Sequence, residues 1–169
     1  MTATRPPRAP RPMTGPGQPR GGERRDPESG AKTPLKVLVV DDEPYNLEAF
    51  RRVFGRHFDI TTAGSASEAL RALGERDYDA VITDFAMPGA DGVSLLERVA
   101  SSRPQIARVL LTAYDQLPAV RASRQAGTTQ ALLIKPWNEE SVVHWVTTLC
   151  RLASLRRSIA AMRKPNEPT

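Results

Sequence analysis

The sequence predicts an α/β domain, with a parallel five-stranded sheet covered by helices on both faces. Three observations predict it. Short apolar, β-branched runs recur between residues 35 and 134. Segments of helical periodicity separate them. The first run, Leu35-Lys36-Val37-Leu38-Val39-Val40, is apolar almost throughout. A strand covered on one face would alternate, whereas one buried on both faces does not.

The elements follow in order. After the first strand, Pro44 to about Gly55 carries Leu47, Phe50, Arg51 and Phe54 at helical spacing, with Gly55 as a stop signal. Asp59 to Ala63 reads as a short second strand. Ser67 to Glu75 reads as a helix with Ala69, Leu70 and Leu73 inward. Ala80-Val81-Ile82-Thr83 is a third strand that ends at Asp84, and Val93 to Ser101 is the helix after it. Arg108 to Leu111 is the fourth strand, followed by a helix from Pro118 to Ala126 closed by Gly127. Ala131 to Ile134 is the fifth strand. Asn138 then stands as an N-cap, with Glu139 and Glu140 in the first turn, where negative charge suits the helix dipole. Strands joined by helical crossovers run parallel, and no internal repeat is present.

The 169 residues carry a net charge of +5, which first suggests a nucleic-acid partner. Its distribution argues otherwise. Residues 1–34 hold seven basic and three acidic residues with eight prolines, and read as a disordered, polyproline-like tail. Residues 35–150 hold twelve basic and fifteen acidic residues, so the folded part is acidic. Residues 151–169 hold five basic residues and one acid. The basic ends do not make a DNA-binding domain, and nucleic acid is not the expected partner. The longest run of large apolar residues, Val37 to Val40, is far short of the ~20 that span a bilayer. The N-terminal arginines precede no apolar stretch, as a secretory signal would require. The single cysteine, Cys150, excludes an internal disulfide. The expectation is a cytoplasmic protein without a membrane segment.

In a doubly wound sheet, ligands bind beyond the carboxyl ends of the strands. Those positions hold Asp41, Asp42 and Glu43 after strand one, Asp84 after strand three, Thr112 after strand four and Lys135 after strand five. With the flavodoxin-like order 2-1-3-4-5, strands one and three are neighbours and three carboxylates converge. Close anions are tolerated only with a cation. Oxygen ligands with room for water suit Mg²⁺ better than zinc. A metal, a cation and a hydroxyl donor are the parts that a phosphoryl group needs, and a carboxylate is its natural nucleophile here.

Four pieces stand in order at these strand ends: Asp41-Asp42-Glu43-Pro44, Asp84 with Met87-Pro88 and Asp91-Gly92, Thr112-Ala113, and Lys135-Pro136. In them the chain resembles the receiver domain of bacterial two-component response regulators, over roughly residues 35–150. The resemblance implies Asp84 as phosphoacceptor, with a sensor histidine kinase or phosphotransfer protein as donor. It implies Mg²⁺ held by Asp42, Asp84 and the backbone carbonyl of Ala86, with Asp41 acting through water. Thr112 would bond a phosphoryl oxygen and Lys135 would pair with it. Signalling would then run through altered binding of a downstream protein target, not through turnover of a substrate. One position departs: Leu132 stands three residues before the lysine, where the family carries its switch aromatic. Ala86 and Tyr114 occupy positions that tune phosphoryl lifetime in the family.

Two other classes fit the residues less well. A haloacid-dehalogenase-type phosphatase wants Asp-x-Asp after its first strand; this chain has Asp41-Asp42-Glu43, and Asp84 would have no role. A phosphorylation-independent interaction module has Leu132 as its best argument. His57 and His144 lack paired ligands nearby in sequence, and Cys150 reads as a buried thiol. Trp145, Val142, Val146 and Leu149 read as one core stripe. Beyond residue 150, Leu152, Leu155, Ile159 and Met162 form an amphipathic stripe that reads either as a solvated tail or as a helix for a homodimer or partner. Nineteen residues after 150 are too few for an output domain, so the expectation is a stand-alone receiver.

Overall fold

The computed structural model describes residues 33–89 and 91–162. The Pro/Arg-rich segment up to residue 32 and the last residues, 163–169, lie outside the described part. The elements are β1 (Leu35–Val40), α1 (Pro44–Phe54), β2 (Phe58–Ala63), α2 (Ala66–Glu75), β3 (Ala80–Asp84), α3 (Gly92–Ser102), β4 (Ala107–Thr112), α4 (Pro118–Gln125), β5 (Ala131–Ile134) and α5 (Glu139–Met162). The sheet order is β2-β1-β3-β4-β5 with every pair parallel. This is the expected flavodoxin-like (βα)5 arrangement. It makes β1 and β3 neighbours and puts all five strand ends on one edge.

Strand alternation divides the core in two. Val37 and Val39 of β1, Ile82 of β3 and Val109 and Leu111 of β4 pack with Phe50 and Phe54 of α1 and Val142 and Val146 of α5. Leu38, Val40, Val81 and Leu110 face the other way, onto Leu73 of α2, Leu95, Leu96 and Val99 of α3 and Val120 of α4. Because both faces are covered, β1, β3 and β4 are apolar almost without break, and burial of each large side chain contributes about 1.5–3 kcal/mol. The edge strands β2 and β5 are only partly buried.

The helices start where local chemistry allows. Pro44 and Pro118 open α1 and α4, where a missing N–H costs nothing. Ser65 caps α2 by accepting from the Glu68 N–H, while Glu68 accepts in return from the Gly64 N–H at 2.8 Å. Asp91 caps α3 at the Ser94 N–H, 2.7 Å. Asn138 caps α5 as expected, at the Ser141 N–H, 2.8 Å.

The segment after 150, expected as a basic extension of the last helix and a tail, continues α5 unbroken as far as Met162. One expectation for α5 changes. Trp145 is not core: Val142, Val146 and Cys150 are buried, whereas Trp145 stands on a neighbouring face of the same helix and is exposed. Cys150 is buried as expected, and its thiol lies 3.5 Å from the Asp79 carbonyl. Burial first, and the Asp79 charge second, push it up to about 12, so it stays protonated. Among the described residues no helix is long and apolar enough to cross a membrane.

Gly92 is the closest backbone approach that bears on the strand ends. Its N–H donates to the Phe85 carbonyl at 2.9 Å. A Cβ there would lie 2.1 Å from the Asp84 carbonyl oxygen and 3.0 Å from Leu110 Cδ1. Gly92→Ala is therefore expected to lower stability by about 1–3 kcal/mol, read as a lower urea midpoint. An unchanged midpoint would contradict this close approach.

Candidate functional site

The site is built at the strand-end edge by one residue from each of β1, β3, β4 and β5, or just beyond. Asp41 follows β1 and is buried. Its Oδ1 accepts from the Glu43 N–H at 2.9 Å, and the Asn46 side-chain amide donates to both carboxylate oxygens at 3.1 Å. Asp84 ends β3 and is also buried; its Oδ2 accepts from the Ala86 N–H at 3.0 Å. Thr112 ends β4 and is buried, with its hydroxyl oxygen accepting from the Tyr114 N–H at 2.9 Å. That leaves the hydroxyl proton available for donation.

Lys135 follows β5 and joins these parts. Its Nζ lies 2.6 Å from Asp84 Oδ1 and 3.6 Å from Asp41 Oδ2. Its backbone N–H donates to the Thr112 carbonyl at 2.8 Å, which ties the ends of β4 and β5 together. A cis peptide links it to Pro136. Burial by itself pushes the ammonium down, but the hydrogen bond and charge of Asp84, with Asp41 behind them, outweigh it and hold the lysine above its ordinary value. Lys135 thus places one positive charge of the chain's own between these carboxylates.

Asp42 stands apart. It is half-exposed, while Asp41 beside it is buried. Successive residues leaving a strand point to opposite sides, so only Asp41 turns inward to Lys135. Among the described residues no three Asp, Glu, His or Cys side chains form a group that could hold a metal ion. The ligand set that the resemblance implies, Asp41, Asp42, Asp84 and the Ala86 carbonyl, is all oxygen, a type that suits a hard cation better than zinc. Of its carboxylates the structure brings Asp41 and Asp84 to Lys135 and leaves Asp42 apart. Asn46 was not singled out from sequence; a polar residue in the first turn of α1, five positions after Asp41, was the available signal. His57 Nε2 pairs with Glu139 Oε1 at 2.8 Å, away from these groups. Leu132 is half-buried and packs on the core of the α2, α3 and α4 face.

A doubly wound parallel α/β domain, with acids after β1 and β3, a hydroxyl at β4 and a lysine at β5, defines a class with one site at one sheet edge. The chain belongs to the response regulator receiver domain family, whose model matches residues 37–147. It is 34% identical over 119 residues to the probable transcriptional regulatory protein TcrX of Mycobacterium tuberculosis, covering 70% of this chain and 50% of that protein. It is 31% identical over 121 residues to the hydrogenase transcriptional regulatory protein HoxA of Bradyrhizobium diazoefficiens, covering 72% of this chain and 25% of that one. The chain thus spans between a quarter and a half of these relatives. Among solved structures it is similar to a response regulator receiver domain protein from Clostridium thermocellum (27% identity, TM-score 0.67, 72% of this chain and 98% of that one). It is also similar to the response regulator protein TrrA from Thermotoga maritima in complex with Mg²⁺-BeF (28% identity, TM-score 0.60, 68% and 98%).

The Lys135 cluster predicts a measurable titration. In the folded chain the Lys135 ammonium is expected to titrate above the ordinary value of 10.5. Its contribution to stability is then fully present below that value and is lost as pH rises through the raised one. ¹³C NMR of the lysine Cε signals checks this, and Asp84→Asn is expected to lower the titration. A wild-type value at or below the ordinary one would contradict the arrangement.

Proposed function

We propose that this chain is the phosphoacceptor of a two-component phosphorelay. The carrying observation is the Lys135 ammonium shared by Asp84 and Asp41, with Thr112 at the adjoining strand end. In this reading an Asp84 carboxylate oxygen attacks the phosphorus of a phosphohistidine on a sensor histidine kinase or phosphotransfer protein. The P–N bond breaks, its electron pair stays on the imidazole nitrogen, and Asp84 becomes an acyl phosphate. Lys135 then exchanges its pairing with the Asp84 carboxylate for pairing with a phosphoryl oxygen. Thr112 donates its hydroxyl proton to another phosphoryl oxygen. Asn46 and the Glu43 N–H hold Asp41 in place. Mg²⁺, held by Asp42, Asp84 and the Ala86 carbonyl with Asp41 acting through water, would supply positive charge to the phosphoryl oxygens.

The chain acts on no other substrate in this reading; it carries only its own phosphorylation and dephosphorylation, in the cytoplasm. Its output is a shift in loop populations around Asp84 and Thr112 that changes the binding of a protein target. Leu132 alters how that shift is read. Without an aromatic side chain three residues before Lys135, no ring can swing inward as Thr112 moves, so the readout passes to other side chains of the same edge. Leu132 also supports a second reading, in which the domain binds its partner whether or not Asp84 carries a phosphoryl group.

Incubation with a small-molecule phosphodonor and Mg²⁺ tests the first reading, and equal binding of a partner by wild type and Asp84→Asn would favour the second. The wild type is expected to gain one acid-stable, base-labile phosphoryl group, and Asp84→Asn none, by intact-mass spectrometry. Undiminished labelling of the variant would overturn Asp84 as the acceptor.

A further inference from the structure

The second half of α5 carries a feature that the chemistry of Asp84 does not use. Trp145, Thr148, Leu152, Leu155, Ile159 and Met162 follow one another at spacings of three and four. That is the a/d pattern of a coiled-coil seam, with a period of 3.5 residues. Its apolar members are exposed, from 40% at Trp145 to 84% at Met162. The core face of the same helix, Val142, Val146 and Cys150, is separate and already buried. Exposed apolar side chains scattered singly need no explanation, but an aligned series along one helix does.

Charge decides what fits the seam. From Ser141 to Met162 the helix has no acidic residue, while Arg151, Arg156 and Arg157 flank the stripe. In heptad terms Arg151 is a g position and Arg156 the e position five residues on. A parallel second copy would therefore set Arg151 against its mate's Arg156, like charge on like charge. Arg156 and Arg157, with Arg124 at the end of α4, also line a cleft of about 620 Å³ at the sheet edge opposite the strand-end site. None of these arginines has a carboxylate partner among the described residues. Beneath the cleft, the buried Arg108 guanidinium is held by the carbonyls of Pro104, Ile106, Gly127 and Thr128. Burial, and then the charge of Arg156, lower its pKa.

We infer that the α5 extension is a docking helix for an acidic amphipathic helix of a partner protein, with apolar residues at its a and d positions and Glu or Asp at e and g. Apolar contact along Trp145, Leu152, Leu155, Ile159 and Met162 gives the affinity. The arginines select the sign of the partner and its orientation. The site does not rest on phosphorylation of Asp84.

The test uses the full chain and two designed helical peptides with leucine at a and d. One carries Glu at e and g, the other Lys, and fluorescence anisotropy reads binding. The Glu peptide is expected to bind, more weakly as salt is added, and to shift Trp145 emission to the blue. Leu155→Asp is expected to weaken it by about ten-fold or more, without changing the melting temperature, because Leu155 is 59% exposed and lies outside both core clusters. Arg151→Glu with Arg156→Glu is expected to reverse the preference toward the Lys peptide. Binding of neither peptide, or equal binding of both, overturns the inference. So does sedimentation of the chain alone as a dimer that Leu155→Asp dissociates, since the seam then belongs to a second copy. Displacement of the Glu peptide by duplex DNA also overturns it.

Discussion

Asp41 and Asp84 are buried at the ends of two neighbouring strands, and one ammonium, Lys135 Nζ, stands between them. Much of the strand-end edge depends on that arrangement. Two carboxylates side by side in a partly dry site repel each other strongly, and neither can ionise cheaply without a cation. The lysine can serve both only because β5 delivers it to the same edge, and its backbone N–H is fastened to the Thr112 carbonyl. Asp41 is further held by Asn46 and the Glu43 N–H, and Asp84 by the Ala86 N–H. Each acid thus has its own hydrogen-bond donor while sharing one ammonium. Those same features suit an acceptor whose own charge must change when a phosphoryl group arrives.

The sheet makes this possible without strain elsewhere. Parallel strands in the order β2-β1-β3-β4-β5 bring the ends of β1 and β3 together, with β4 and β5 following on one side. Helices on both faces exclude water from the strands, so the strand-end side chains emerge from a dry floor. Gly92 lets α3 begin against the Asp84 backbone, which keeps the β3–α3 loop close to the site. The opposite edge has a different character. There the helix that closes the fold runs on as α5, and its arginines meet Arg124 around a cleft. One domain therefore carries an acidic, lysine-balanced edge and a basic, apolar-striped one.

Much of this was legible in the sequence, for physical reasons that differ by element. The nearly continuous apolar runs of β1, β3 and β4 are what a sheet covered on both faces demands, and they predicted both the parallel architecture and the places where strands end. Asp84, Thr112 and Lys135 were legible because each stands directly where such a run stops. The structure joins Asp41 but not Asp42 to Lys135, a distinction that depends on which way each side chain leaves the strand. Asn46 was missed because its role is a contact across a turn, which no periodicity encodes. Trp145 was read as core because a buried stripe and an exposed 3.5-residue seam overlap on one helix, and apolar spacing alone does not separate them. Solvent exposure does.

A double-mutant cycle between Asp84 and Lys135 tests the central claim most directly. Unfolding free energies of the wild type, Asp84→Asn, Lys135→Met and the double variant would be measured by urea titration near neutral pH. The account predicts that Lys135→Met is more destabilising when Asp84 is present than when it is Asn, with a coupling of about 0.5–3 kcal/mol. Single effects that simply add, to within about 0.5 kcal/mol, would contradict the claim that this ammonium holds the site together.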